Sequence, residues 1–86
     1  MSMVTELIGA ISSSIRSVET EEQILDTYLS RLQELQEQVQ AALQGGAAGV
    51  DEEMNDRIVA TQQSVQKAID SLEVAKDSLS RIQIQL

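Results

Sequence analysis

The sequence has no cysteine, histidine, proline, tryptophan or phenylalanine, and Tyr28 is its single aromatic residue. Each absence removes a class of function or a means of support. Without cysteine there is no disulfide, and without cysteine or histidine there is no zinc site of the usual ligand set. Without an imidazole base there is no catalytic triad of the familiar kind. Basic residues are also scarce: six against fourteen acidic ones, for a net charge of −8. That balance opposes nucleic-acid binding, which requires phosphates to be neutralised. It equally opposes docking on anionic membranes. No apolar run approaches the roughly 20 residues of a membrane span, so stable membrane insertion is not expected. The first residues carry no positive charge ahead of their apolar stretch, and Glu6 lies within it. A conventional signal peptide is therefore not expected. The sequence reads as a chain made in the cytoplasm. If it is secreted, it leaves with its partner by a route that accepts folded helices.

A chain of 86 residues is a single domain at most and buries a small share of its surface on folding. With disulfides, metal and aromatics all missing, a partner surface is the reinforcement left. The serines and threonines have no recognisable base or nucleophile elbow and read as helix-surface or capping residues. Asp51, Glu52, Glu53 and Asp56 lack the alternating spacing and mid-loop glycine of an EF-hand, and suit the positive end of a helix dipole instead. No glycine pattern matches a phosphate loop. The expectation is a protein with no catalytic residue, no cofactor and no metal, and hence not an enzyme.

What is present is a long helical periodicity, interrupted once. Gly45, Gly46 and Gly49 lie close together and can supply the positive φ angles that end a helix and reverse the chain. The spacing predicts a helix over about 3–43, a turn over about 44–50 and a helix over about 51–85. Gly9 and the run Ser12-Ser13-Ser14 predict fraying early in the first helix. Thr20 with Gln23 resembles a capping box, although the apolar repeat continues across it.

In the first helix Val4, Ile11, Val18, Leu25, Leu32 and Val39 recur every seven residues. Ile8, Ile15, Leu29 and Leu43 occupy the complementary row, with Glu22 and Gln36 as its two exceptions. Such a row pair is an a/d seam along which another helix packs. Leu7, Tyr28, Leu35 and Ala42 widen it. In the second helix Ile58, Val65, Leu72, Leu79 and Leu86 form one row, and Met54, Thr61, Ala68, Ala75 and Ile82 are assigned to the other. Val59, Ile69, Val74 and Ile84 fall off that seam. Each helix spans some 50 to 60 Å at about 1.5 Å per residue, and a short link makes the two antiparallel. The fold class is thus all-α, an antiparallel two-helix hairpin. Its surplus apolar surface predicts completion of a four-helix bundle with a partner or with itself. The residues expected to pack in the seam or against a partner include Ile11, Ile15, Val18, Leu25, Tyr28 and Leu29, followed by Leu32, Leu35 and Val39. From the second helix they are Met54, Ile58, Val65, Ile69, Leu72, Leu79 and Ile82.

The stretch Leu43-Gln44-Gly45-Gly46-Ala47-Ala48-Gly49 resembles the turn of the Trp-x-Gly superfamily of small type VII secretion proteins. Gln44 stands where the Trp would be, Gly45 at the variable position and Gly46 at the glycine, with Ala47 continuing in small-residue style. That family consists of acidic, cysteine-poor helical hairpins exported as dimers. Its C-terminal export signal, a Tyr followed four residues later by an acidic residue, is not found in Arg81-Ile82-Gln83-Ile84-Gln85-Leu86. The chain is therefore similar to a subgroup, the small helical partners encoded with LXG-domain toxins. The resemblance implies a chaperone-like partner that docks on an effector's N-terminal helical domain or on a sister hairpin and makes it export-competent. Two other functions fit the residues: a structural homodimer forming a four-helix bundle, and a helical chaperone or subunit of another secretion system, such as a type III needle-protein chaperone.

Overall fold

The computed structural model describes residues 2–86, and among these there are two helices and no strand: α1, Met3–Gln44, and α2, Glu52–Gln85. Both start on side-chain caps that satisfy otherwise orphaned amides. Ser2 Oγ accepts from the Thr5 amide at 3.2 Å, and Asp51 Oδ1 from the Met54 amide at 3.1 Å. Glu52 and Glu53 then occupy the first turn of α2, where the dipole favours negative charge.

The end of α1 is closed by glycine. Gly46 takes φ of +68°, its amide donates to Leu43 O at 3.1 Å, and the Ala47 amide donates to Ala42 O at 3.0 Å. This pair of bonds is the Schellman closure, which needs a left-handed residue that glycine adopts without Cβ strain. Gly49, at φ +82°, completes the reversal. Residues 45–51 thus return the chain alongside itself, and the molecule is a rod of 67 × 15 × 13 Å.

Helix α1 is unbroken through Gly9 and the serine run, where the sequence suggested fraying. Ile11 is buried there, and Gln83 Nε2 donates to Ser12 Oγ at 2.7 Å and to Ile8 O at 3.2 Å. Nor does Thr20 restart the helix. Its hydroxyl donates back to Arg16 O at 3.0 Å, a bond that a threonine inside a continuing helix makes.

The seam of α1 faces α2, with Ile11 and Leu32 buried and Ile8, Ile15, Val18, Leu25, Leu29 and Val39 half-buried. In α2 the buried or half-buried rows are Ile58, Val65, Leu72 and Leu79 together with Asn55, Gln62, Ile69, Lys76 and Gln83. This corrects the sequence assignment of the second row by one residue. Met54, Thr61, Ala68, Ala75 and Ile82 are all exposed, and Ile69, placed off the seam from sequence, is one of its most buried side chains. The tight core is short: Leu32, Val65 and Ile69, flanked by Leu25 and Leu29.

Candidate functional site

The corrected row explains the two polar interruptions in α1. Gln36 accepts from Gln62 Nε2 at 3.0 Å, and Lys76 Nζ lies 3.2 Å from Glu22 Oε1. Each polar seam residue of α1 therefore meets a polar seam residue of α2, which offsets part of the cost of burying it alone. Glu22 is only 8 % exposed. Its carboxyl is held above the ordinary glutamate value, first by the adjoining Glu73 carboxyl, which a proton can bridge, and then by burial, with Lys76 opposing both. Glu73 is held below its ordinary value by Glu22 and then by Lys76, which it contacts at 3.2 Å. Lys76 is held above its own by Glu73 and then Glu22. These groups form an ionic clasp within the hairpin. Glu22 Oε1 and, near the turn, Asn55 Oδ1 are buried without a hydrogen-bond partner, so Lys76 meets Glu22 as an ion pair and not as an aligned hydrogen bond.

The two cross-links fix the alignment of the helices. They are fourteen residues apart on both strands of the hairpin, so residues between them can be matched level by level. An antiparallel pair is related by a pseudo-twofold axis normal to the plane of its two helices, and this rotation leaves the front of the pair at the front. The row beside the seam on one flank of α1 therefore lies on the same flank as its counterpart on α2. One flank carries Leu7, Tyr28, Leu35 and Ala42 from α1 and Met54, Thr61, Ala68, Ala75 and Ile82 from α2. Tyr28 is 47 % exposed, Leu35 43 %, Met54 43 % and Ile82 46 %. Ile24, one row further out, is more exposed still and borders a shallow groove of about 350 Å³ with Tyr28 and Arg31.

Charge is distributed as unevenly as apolar surface. The rows of the apolar flank, taken with the next row out on each helix, contain Glu21, Arg31 and Arg57 as their charged residues. The matching rows of the opposite flank contain eight carboxylates, among them Asp26, Glu37, Asp70 and Asp77, against the single base Arg16. The net charge of −8 therefore resides mainly on one side of the rod, and the other side is nearly neutral and apolar.

The residues singled out from sequence divide between two surfaces. Ile11, Ile15, Val18, Leu25, Leu29, Leu32, Val39, Ile58, Val65, Ile69, Leu72 and Leu79 pack between α1 and α2, whereas Tyr28, Leu35, Met54 and Ile82 lie on the open flank. Gly45, Gly46 and Ala47 lie in the turn at one end of the rod, whereas Gln44 is the last residue of α1, and none of the four takes part in either cross-link. Sequence reasoning missed Gln62, Lys76 and Gln83. The signal that could have found them is the fourteen-residue spacing of Glu22 and Gln36, which Gln62 and Lys76 repeat in the opposite direction. Among the described residues no helix is long and apolar enough to cross a membrane, and no group of His, Cys, Asp and Glu is arranged to hold a metal ion. No protein-family model, curated protein or solved structure matches the chain.

Proposed function

We propose that this chain is a non-enzymatic helix-docking protein, chaperone-like in its action, that covers the apolar stripe of a helical partner with its own. The observation that carries the reading is the two-sidedness of the rod: an apolar, nearly neutral flank opposite one bearing eight carboxylates. A hairpin with a small buried core and a long open stripe gains stability by having that stripe covered, and its acidic back keeps the assembly in solution. The turn sequence Leu43 to Gly49 supports placing this activity in type VII secretion, where the partner is an effector's helical domain or a sister hairpin made export-competent by the contact. The protein then travels with the partner it covers.

Co-expression with the helical N-terminal domain of an LXG-domain toxin, followed by circular dichroism of the purified complex, tests the reading. A stable complex with higher helicity and melting temperature than the separate chains is expected. A chain that remains fully helical, monomeric and indifferent to that domain contradicts it.

A further inference from the structure

We propose that Glu22 and Gln36 are positioning residues: through Lys76 and Gln62 they hold α2 turned so that its more apolar row stays outside the seam. That row supplies the α2 half of the open flank. The two polar contacts thereby keep the stripe from being covered by the hairpin's own α1. The rotation of α2 stands on the packing alone, and its consequence for docking rests on that flank being the helix-docking surface.

Helix α2 carries two rows beside its apolar line Ile58, Val65, Leu72 and Leu79. The row inside the seam, Asn55, Gln62, Ile69, Lys76 and Gln83, has one aliphatic member. The row outside it, Met54, Thr61, Ala68, Ala75 and Ile82, has four apolar members, and all five residues are exposed. Val59 and Ser80, on the far side of the polar row, are half-buried. The helix is thus turned away from its more apolar side. Burial of apolar surface alone favours the opposite turn. A rotation of about 60° around the helix axis brings the outer row in beside Ile58 and Leu72.

The levels set by Gln36–Gln62 and Glu22–Lys76 show what each rotation costs. As found, Leu43 lies level with Asn55, whose Oδ1 is buried without a hydrogen-bond partner, and Ile15 lies level with Gln83. Only Leu29 meets an aliphatic side chain of the inner row, Ile69. The other rotation sets Leu43 against Met54, Leu29 against Ala68 and Ile15 against Ile82. Three levels become apolar, and Asn55 is released to solvent. Two α1 residues lose by it. Glu22, only 8 % exposed, comes against Ala75 without Lys76, and Gln36 comes against Thr61 without Gln62. Burying a carboxylate without its cation is the larger penalty, so the polar pairs select the rotation that is seen. Gln83 adds a third tie near the open end, donating to Ser12 Oγ and Ile8 O. In the other rotation α2 presents Arg57, Ser64, Ser71 and Ser78 on the flank in place of Met54, Ala68 and Ile82. The stripe that Tyr28 and Leu35 share with α2 is then gone.

The chain has no cysteine, so Ala68→Cys places a single reporter thiol in the outer row. Its rate of reaction with N-ethylmaleimide is measured at about 1 µM and again after about tenfold dilution, which separates burial within the hairpin from self-association. In the otherwise unchanged hairpin the thiol is expected to react as an exposed one. Glu22→Leu/Gln36→Leu/Gln83→Ala makes the α1 seam aliphatic and removes all three ties. This triple variant is expected to keep its helicity and to slow the reaction by about tenfold at both concentrations, because the reporter turns into the seam. Adding Gln62→Leu/Lys76→Leu makes the inner row apolar and is expected to restore the fast rate, a rescue that a general gain in stability does not produce. Equal rates in the unchanged hairpin and the triple variant overturn the proposal. So does loss of helicity in the triple variant, or a slow thiol in the rescued one. A triple variant whose thiol is protected but which binds the helical domain of an LXG-domain toxin undiminished leaves the rotation standing and removes the flank as the docking surface.

Discussion

Glu22 and Lys76 face one another across the hairpin at 3.2 Å, fourteen residues along both helices from the Gln36–Gln62 bridge. The pair does more to set alignment than to hold the helices together. Apolar seam residues tolerate a slip along the rod better than a buried carboxylate tolerates losing its cation, and this is the role best attested for polar residues inside helical seams.

Lys76→Met leaves Glu22 at the seam with no counter-charge and is expected to lower the melting temperature clearly. The double variant Glu22→Leu/Lys76→Leu is expected to restore or exceed the wild-type value, since an apolar pair replaces an ionic one without desolvation cost. Thermal denaturation followed by circular dichroism distinguishes the two outcomes. A double variant less stable than Lys76→Met alone contradicts the assignment.

The clasp also makes stability depend on pH. The Glu22 proton is held more tightly in the folded hairpin than in the unfolded chain, so its contribution is complete below the unfolded value of 4.5 and is lost as pH rises through the higher folded value. Glu73 acts in the opposite sense: its contribution is present above 4.5 and is lost as pH falls through its lower folded value. From pH 7 toward 5 the Glu22 effect operates first. The melting temperature of the wild type should therefore improve relative to Glu22→Gln over that range. Lys76 contributes below 10.5 and loses its effect as pH rises above that value. A wild-type advantage that shrinks between pH 7 and 5 contradicts the linkage.

Leu32 and Leu35 lie one turn apart on α1, yet one is 8 % exposed and the other 43 %. Leu32→Ala is expected to destabilise the hairpin by about 2–3 kcal/mol, the lower part of the range for a buried leucine. Leu32→Asp is expected to prevent folding outright. Leu35→Ser is expected to leave the helicity of the isolated hairpin nearly unchanged and to weaken its assembly. Denaturant titration of the three variants, with light scattering of the third, checks the contrast.

At the turn, Gly46→Ala forces a Cβ into a left-handed conformation at φ +68° and should cost about 1–2 kcal/mol. Gly45→Ala meets Ala41 O at 3.4 Å and Ala42 O at 3.7 Å, ordinary contacts in right-handed geometry, so a change within about 0.5 kcal/mol is expected. Gln44→Trp is exposed at the rod's end and should be tolerated. Equal effects at Gly45 and Gly46 would show that the Schellman closure does not govern the reversal.

How much of this was legible in the sequence differs between the helices. The hairpin and the α1 seam follow from counting apolar residues, because nine of the α1 seam positions from Ile8 to Leu43 are aliphatic and the exceptions are widely spaced. In α2 the same counting slips by one residue. The true second row is Asn55, Gln62, Ile69, Lys76 and Gln83, mostly polar, whereas the adjacent row from Met54 to Ile82 is more apolar. Apolar periodicity shows where a helix prefers to be dry, but not which helix dries it. Gln62 and Lys76 become seam residues only through Gln36 and Glu22, partners that a helix read in isolation does not reveal. The more apolar row belongs to the open flank, so the miscounted residues mark the surface on which the proposed function depends.

That dependence is tested most directly by melting temperature against protein concentration, for the wild type and for the double variant Tyr28→Glu/Leu35→Glu. Over a hundredfold concentration range the wild type is expected to rise by roughly 5–10 °C, as mass action stabilises a folded assembly of this size, while the double variant stays flat and lower. Two flat and coincident curves, with no rise when the helical domain of an effector is added, would show that the hairpin needs no cover, and would contradict the account.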